Sequence, residues 1–532
     1  MMPTPRRRAL SDLSGAAGDL LVRTDGDAAI SGLAYDSSKV SPGDLFFCIP
    51  GTRSDGHEFA AAAAAAGAVA LCVERPVGTG LPAMLVTDAR RSLGRVAASF
   101  YGDPADDLLL VGVTGTNGKT TTAFLIDAIL RADGRTTGLV GTIETRIAGV
   151  ARPGVRTTPE SADLHALFAE MVAAGVDSVA MEVTSHALAL HRVEGLRFAA
   201  AAFTNLTQDH LDFHDGMEDY FEAKRQLFVA ERLERGAINV DEVYGRRLMD
   251  VVDVPCVGFG TAPDAEIRAV DVELGPAGST FRIVTPKGEV SVSSSLAGSF
   301  NVSNCLAAAA TCLQAGVGLE AIEAGLNSGV SVPGRFESVD AGQGFSVVVD
   351  YAHTPDSLDN VLRAARGLAE RSGGRVIALF GCGGDRDRGK RPLMGAAAAR
   401  LADYVVVTSD NPRSEDPAAI VDEILEGVIA ERADGPDAVH VDRREAIATA
   451  VRAAQPGDVV VIAGKGHETG QQFRDHTIPF DDRVVAREEI ERRQAAGSAG
   501  APEEQAAGSA GAPEELAAGS AGAPEQDAGA GS

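Results

Sequence analysis

The chain has 532 residues, enough for about three domains, and is 45% hydrophobic and 23% charged with a formal net charge of −27. That acidity makes nucleic-acid binding a poor default, and no apolar run is long and pure enough to span a bilayer. Arg6, Arg7 and Arg8 are followed by Ser11, Asp12, Gly15 and Asp19 rather than by a hydrophobic signal region, so a cytoplasmic protein without membrane insertion is expected. The six cysteines (Cys48, Cys72, Cys256, Cys305, Cys312 and Cys382) show no CxxC pair and no zinc spacing, and are read as reduced and mostly buried.

Residues 1–105 alternate short strands and helices and read as a small α/β domain. Gly32–Ser38 leads through a Pro42-Gly43 turn to Asp44–Pro50. A helix over His57–Ala66 ends at Gly67, a C-cap residue. Strand signals follow at Ala68–Val73 and Met84–Val86. Ser37, Thr52, Arg53 and Ser54 sit in loops that either meet a substrate or close turns.

Residues 106–333 begin with the most informative stretch. Leu108–Val113 reads as a buried parallel strand. Gly115, Asn117 and Gly118 form a turn that side chains would obstruct, and Lys119-Thr120-Thr121 open a helix with apolar positions at Phe124, Leu125, Ala128 and Ile129. Strand, glycine turn, Lys-Thr and helix together hold a triphosphate: backbone N–H groups and the helix N-terminus favour the anion, Lys119 adds a charge, and Thr120 can ligate magnesium. The generic pattern places its first glycine where Val113 stands; Gly112 lies one place early. Strand-like runs recur at Ser178–Met181, Ala199–Phe203 and Ala237–Asn239, spaced by helical stretches, which implies a mostly parallel sheet. Around 265–295 the period changes to two, as in Thr280–Val284, and an antiparallel insertion is expected.

Residues 334–494 form another doubly wound unit, with strands at Ser346–Asp350, Arg375–Phe380, Tyr404–Thr408 and Asp458–Ile462, and polar groups at the strand C-terminal ends where open α/β sheets bind ligands. From 495 to 532 an eleven-residue unit recurs three times with small changes (AAGSAGAPEEQ, AAGSAGAPEEL, AAGSAGAPEQD); Ala, Gly, Ser, Pro and Glu cannot bury a core, so a disordered tail is expected. The fold class is therefore α/β in three domains: a central P-loop parallel sheet flanked by a small N-terminal α/β domain and a C-terminal Rossmann-like one.

Four clusters carry chemistry. Glu182 in Met181–His186 ends a strand and can hold magnesium. Thr204–His214 is dense in His and Asp, and His210 is a second metal-ligand candidate. Phe380–Arg391 is glycine-rich but lacks a dinucleotide loop's third glycine and its apolar helix; its Arg and Lys suit a carboxylate or phosphate. Thr408–Glu415 combines Asp410, an ammonium acceptor, with Pro412 and the Arg413 fork, which suits an amino acid.

These residues resemble a family. Gly115-Thr116-Asn117-Gly118-Lys119-Thr120 with Glu182, His210, Asn301, Arg335 and Asp350–Pro355 is similar to the Mur ligases of peptidoglycan synthesis, from about residue 25 to 490. Tyr35-Asp36-Ser37, Glu182–His186, Gly383–Asp387 and Asp410–Arg413 resemble the members that add the third stem-peptide residue. The Asp-Asn-Pro-Arg form resembles those that use meso-diaminopimelate; lysine-adding relatives usually replace that Arg. The resemblance implies an amide ligase that joins UDP-MurNAc-L-Ala-D-Glu to meso-diaminopimelate with ATP and Mg²⁺, through an acyl phosphate, and that works as a monomer on small molecules.

It also implies roles. Gly115 to Thr121 and Asn301 with Arg335 would bind ATP. Lys119, Glu182, His210 and Lys224 would be catalytic, with Thr120 and Glu182 on one magnesium, His210 on a second, and Lys224 carbamylated. Tyr35, Ser37, Thr52, Arg53, Ser54, Thr157, Thr158, Thr184 and Arg192 would contact the UDP-substrate. Arg386, Asp410, Asn411, Pro412, Arg413, Gly464 and Glu468 would hold diaminopimelate. Leu190 stands where some relatives have a Gln that touches the UDP-substrate, and no contact is assigned there. A lysine-adding relative, an NTPase switch and a nucleotide-binding scaffold are the alternatives.

Overall fold

The apolar runs become the inner strands of three sheets in a computed structural model that describes residues 7–51, 54–275 and 278–499. In the first, Gly32–Ala34, Asp44–Phe47, Ala70–Val73 and Ala83–Val86 run parallel in that order, and Leu21–Asp25 pairs antiparallel with the last. Asp44–Phe47 and Ala70–Val73 are buried throughout. A 3₁₀ turn, Gly56–Phe59, precedes the helix Ala60–Ala66, which Gly67 caps at φ 111°. That conformation favours glycine, and a Cβ there would come within 2.9 Å of Pro42 Cα.

The second sheet has eleven strands. Leu109–Thr114 lies near its middle between Ser178–Glu182 and Phe198–Phe203, all parallel. Val113 is fully buried within this strand. The strand thus runs through the position where the generic motif has glycine, and the turn starts at Gly115. The helix Lys119–Ala132 packs against Ser299–Gln314 and Leu319–Leu326 in one apolar core. The period-two region forms Ile267–Gly275, Gly278–Thr285 and Gly288–Ser294 as an antiparallel meander. It is a continuation of the main sheet rather than a separate insertion, because Ile267–Gly275 pairs in parallel with Cys256–Gly260. At the opposite edge a hairpin, Glu144–Ile147 with Val150–Pro153, was not expected; its outer strand is exposed along its whole length and carries no apolar period.

The third sheet orders Glu337–Ser338, Ser346–Asp350, Val459–Ala463, Val376–Phe380, Tyr404–Thr408 and Ala438–His440, parallel except for the first pair. Helices cover both faces. Pro355–Ser372, Lys390–Leu401 and Pro417–Glu431 build one core, and Arg443–Ala453 and Asp482–Ala499 the other. Val459–Ala463, last in sequence, is inserted beside the first long strand, so four strand ends converge on one crevice. The final helix runs to Ala499, five residues past the expected onset of the tail; residues 500–532 lie outside the described residues.

Candidate active site

Phosphate chemistry is prepared by the turn after Thr114. Gly115 adopts φ 151° and Gly118 φ 85°. A Cβ would approach Thr204 Oγ1 to 1.8 Å at the first and Asn304 Oδ1 to 2.3 Å at the second, so only glycine fits. The neighbouring strand end braces the turn: Thr116 N donates to Asn205 O (3.0 Å), Asn117 N to Asn205 Oδ1 (2.8 Å), and Thr204 Oγ1 to Asn117 O (2.6 Å). Lys119 Nζ folds back onto Gly115 O (3.0 Å) and Thr116 O (2.8 Å). Burial lowers its pKa.

This turn opens on a cavity of about 760 Å³ that brings together Thr116 to Thr121, Thr157, Thr158, Glu182, Thr184, Arg192, His210 and Arg335. Thr120 Oγ1 donates to Glu182 Oε2 (3.0 Å) and accepts from Arg335 Nη2 (3.1 Å). Glu182 also accepts from Thr142 N (2.7 Å) and Thr142 Oγ1 (3.1 Å). Asn301 is set behind the wall, where its Oδ1 accepts from Asn304 Nδ2 at 3.0 Å and Asn304 itself faces the cavity.

His210 holds a left-handed φ of 57°, with its Nε2 3.4 Å from Asp209 Oδ2 and its ring 4.7 Å from that of His186. Burial lowers its pKa, so the imidazole is neutral and free to ligate. Burial alone would raise Asp209, but His210, His353 and Lys390 hold its carboxyl below the usual value. Hydroxyl, carboxylate and neutral imidazole form a hard donor set. Among the described residues no three His, Cys, Asp or Glu side chains converge into a closed cation cage. An open, oxygen-rich set that leaves positions for phosphates and water fits magnesium.

Lys224 lies beneath the turn, 1% exposed. Its Nζ donates to Gly115 O (2.7 Å) and stands 4.6 Å over the Tyr220 ring. Burial, with Lys119 nearby, pushes its pKa well down, which favours the uncharged amine. A neutral buried amine can react with carbon dioxide, whereas an ammonium cannot.

On the side towards the first sheet, Thr158 Oγ1 donates to Glu182 O (2.9 Å), Thr184 N donates to Thr158 Oγ1 (3.2 Å), and Thr157 Oγ1 lies 3.0 Å from Thr142 Oγ1. Arg192, Arg156 and Arg90 converge on the buried Glu160 at 2.9, 3.1 and 3.5 Å. Tyr35, Ser37 and Ser54 are not among the residues lining the cavity; Tyr35 OH donates instead to Asp163 Oδ2 (2.5 Å). Thr52 and Arg53 lie outside the described residues.

The amino-acid cluster occupies the C-terminal ends of the third sheet. Arg413, at φ 52°, donates from Nη1 to Gly384 O (2.7 Å), while Gly384 N donates to Asn411 O (2.9 Å), locking the two loops together. Asn411 Nδ2 donates to Glu468 Oε2 (2.8 Å). Gly464, at φ 118°, passes so close that a Cβ would lie 2.8 Å from Asp410 Oδ2. Arg386 is exposed and donates to Asp385 O (2.9 Å); Pro412 O accepts from Glu415 N (3.1 Å). None of these lines the large cavity. Tyr351 joins the two regions: it lines the cavity, lies 4.3 Å below the Arg335 guanidinium, and its ring is 5.2 Å from that of His467.

Sequence reasoning passed over Lys465, Asp356 and Asn304, and gave Tyr351, His353 and Asp209 no role beyond their motifs. Of the three passed over, Lys465 carried a signal, since it stands between Gly464 and Glu468, both already singled out. Arg391, at the end of the basic cluster read as suiting a carboxylate or phosphate, is fully buried and forks Glu415, whose Oε1 in turn accepts from Asp385 N.

A glycine turn at a strand end of one sheet and a carboxylate–guanidinium cluster at the strand ends of another fit one class, an ATP-dependent, peptide-bond-forming ligase, and comparison with known proteins shows that class. The Mur ligase middle domain matches residues 113–312, the Mur ligase glutamate ligase domain residues 334–466, and the Mur ligase family catalytic domain residues 29–101. The chain belongs to the Mur ligase family. It is 49% identical over 503 residues to the UDP-N-acetylmuramoyl-L-alanyl-D-glutamate–2,6-diaminopimelate ligase of Streptomyces avermitilis, covering 92% of this chain and 99% of the relative. It is 51% identical over 464 residues to the ligase of the same name from Solibacter usitatus, covering 86% and 93%. A solved structure of a ligase of that name aligns with TM-score 0.62 at 33% identity, over 88% of this chain and 96% of the other. The Mycobacterium tuberculosis folylpolyglutamate synthase complexed with ADP and AMPPCP shares the fold at 19% identity, TM-score 0.58, over 70% and 92%.

Proposed function

We propose that this ligase joins meso-2,6-diaminopimelate to UDP-MurNAc-L-Ala-D-Glu, converting ATP to ADP and phosphate and yielding the UDP-MurNAc-tripeptide for peptidoglycan synthesis. The reading rests on one observation above the others. The Asp410–Arg413 loop carries a carboxylate and a guanidinium for the two ends of an amino acid, and Tyr351, which lines the cavity of the phosphate turn, has its ring 5.2 Å from His467, next in sequence to the Glu468 that accepts from Asn411 of this loop. The names of the relatives support it.

The chain's own groups have definable tasks. The turn from Gly115 to Thr121 would hold the ATP phosphates on backbone N–H groups, with Lys119 leaving its two carbonyls for the anion. Asn301, through Asn304, and Arg335 would face the nucleotide. Thr157, Thr158, Thr184 and Arg192 would place the UDP-substrate so that its D-Glu carboxylate takes the γ-phosphoryl group as ADP leaves. Thr120, Glu182 and His210 would hold magnesium, which when bound offsets the crowded charge of phosphates and carboxylate. A carbamylated Lys224 would place an anion beneath them, where a free ammonium would repel magnesium. Arg386, Asp410, Asn411, Pro412, Arg413, Gly464 and Glu468 would then aim one amine of diaminopimelate at the acyl carbon; the new C–N bond forms, phosphate leaves, and the amine proton passes to solvent. Positioning accounts for most of such a rate. Monomeric action in the cytoplasm is part of this reading, and no helix among the described residues is long and apolar enough to cross a membrane.

The test is phosphate release by the purified chain with ATP, magnesium, the UDP-linked dipeptide and each candidate amino acid in turn. Release and a new peptide bond with diaminopimelate, both abolished by Lys119→Ala, are expected. Hydrolysis that needs neither substrate nor amine would make the protein an NTPase switch, and a preference for lysine would make it a lysine-adding ligase.

A further inference from the structure

Two loops reach the large cavity from strands on either side of Leu109–Thr114. Thr184 and His186 stand on the turn after Ser178–Glu182, Asp209 and His210 on the loop after Phe198–Phe203, and all four line the cavity. A strand separates them, so no ladder ties one loop to the other. Among the described residues no backbone hydrogen bond joins them either. Their spacing is set by side chains.

His214 makes the polar link. Its Nε2 lies 3.0 Å from Ser185 Oγ, and its Nδ1 2.9 Å from Asp219 Oδ2 in the first turn of the helix Met217–Arg225. Asp219 can only accept, which puts the hydrogen of the neutral ring on Nδ1 and leaves Nε2 to accept from the Ser185 hydroxyl. The ring is buried and stacks on Tyr220 at 5.0 Å. An apolar link runs beside it, where the His186 ring stacks on Phe213 at 4.1 Å.

Hydroxyl, imidazole and carboxylate in this order would activate a nucleophile if the hydroxyl were open. Ser185 is 1% exposed and is not among the residues lining the cavity, whereas its two neighbours are. The bond therefore fixes rather than activates. What it fixes includes strained backbone. His210 holds φ 57°, a region that costs a residue with a Cβ and persists only where the surroundings enforce it. Its carbonyl accepts from Phe213 N (3.0 Å) and His214 N (2.9 Å). Across the gap, Thr184 Oγ1 accepts from Ala187 N and Thr184 O from Leu188 N, each at 3.1 Å. His214 thus holds one loop by its backbone and the other by its ring. We propose that His214 is a positioning residue that clamps the turn Thr184–His186 to the loop of His210 through Ser185, so that the hydroxyl facing the UDP-substrate and the imidazole keep one spacing. The substrate named here rests on the ligase reading above; the clamp itself does not.

The experiment uses the full chain with His214→Asn, His214→Gln, Ser185→Ala and the double variant His214→Asn/Ser185→Ala. Gln reaches the place of Nε2 and keeps a partner for Ser185; Asn reaches only the place of Nδ1 and keeps Asp219 alone. Backbone amide exchange in the ligand-free chain is the first readout. His214→Asn and Ser185→Ala are expected to speed exchange about tenfold in residues 184–188 and 210–214, confined to those segments, while His214→Gln stays within about threefold of the unaltered chain. Titration calorimetry is the second. The UDP-linked dipeptide, without magnesium, should bind about five- to twentyfold more weakly to the first two variants. ATP affinity should stay within about twofold, because Thr204 and Asn205 brace the phosphate turn. The double variant should lie within about twofold of His214→Asn, since both changes remove the same bond. Equal behaviour of Asn and Gln, exchange that is unchanged or raised evenly across the chain, or parallel losses of both ligands would each overturn the proposal. The parent reading fails separately, if the unaltered chain does not bind the UDP-linked dipeptide; exchange, which needs no ligand, then still decides the clamp.

Discussion

Asn117 Nδ2 donates to Asp356 Oδ2 over 2.8 Å, across 239 residues of sequence, and fastens the phosphate turn to the first turn of the helix Pro355–Ser372. Thr207 Oγ1 reaches the same oxygen at 3.3 Å. Thr354 and Ser357 cap that helix reciprocally, so Asp356 is held on a stiff element. The contact couples the second and third sheets at the point where phosphate would enter.

Asp356→Ala is therefore expected to lower kcat about 3- to 10-fold with little change in ATP affinity, the magnitude of one ordinary lost hydrogen bond. Asp356→Asn, which can still accept from Asn117, should retain most of the rate. Steady-state kinetics of the two variants distinguishes them. A matched loss in both would place the effect on the charge rather than on the fastening.

Lys224 is expected to need carbon dioxide. Burial pushes its pKa well below the ordinary lysine value, which favours the uncharged amine that a carbamate needs, and acidification reverses it. Enzyme stripped of bicarbonate should lose activity and regain it on addition. Lys224→Ala should be inactive at any bicarbonate level and partly restored by a short carboxylic acid. Activity indifferent to bicarbonate in the unaltered chain would count against the modification.

Arg413→Ala is expected to raise the KM for diaminopimelate far more than that for ATP, by tens to hundreds of fold for a loss of about 2–4 kcal/mol. Its guanidinium is half-buried and aligned by Gly384 O. Improved use of lysine by the variant would locate the choice between the two amino acids at this side chain. Equal effects on both KM values would remove it from the pocket.

His165 makes stability depend on pH. It is 1% exposed, neither ring nitrogen has a hydrogen-bond partner, and burial pushes its pKa down to about 4. The unfolded chain takes up the proton near 6.5, the folded chain only near 4, so this stability is whole above pH 6.5 and lost as pH falls towards 4. His165→Leu should gain on the unaltered chain by about 1–2 kcal/mol between pH 7 and pH 5 in denaturant titrations. A difference that stays constant with pH would clear His165 of the effect.

How much could be read in advance follows from burial. Ser346–Asp350 and Tyr404–Thr408 are apolar on both faces and were bounded to the residue, and the phosphate turn was found with its glycines in place. The Glu144–Pro153 hairpin was not, because an edge strand exposed along its whole length leaves no alternation to detect. Asn301 and Lys224 entered through family resemblance alone: one acts through Asn304, and the other is covered by a turn 109 residues away. The reading of the tail began five residues early, since Ala-rich sequence continues a helix already under way.

Glu194 accepts from Arg91 and Arg95 of the first unit and from Arg232 of its own, at 3.2, 3.3 and 3.0 Å, while the helices Ala89–Tyr101 and Ser161–Ala173 press together beside it. That junction is welded by several cations on one anion. The other junction adds to the polar links of Asn117, Thr207 and Arg335 an apolar seam, where the Phe300 ring of the second unit meets Phe336 at 5.9 Å in the third unit's core. One seam is thus closed by charge, the other by charge and apolar contact together.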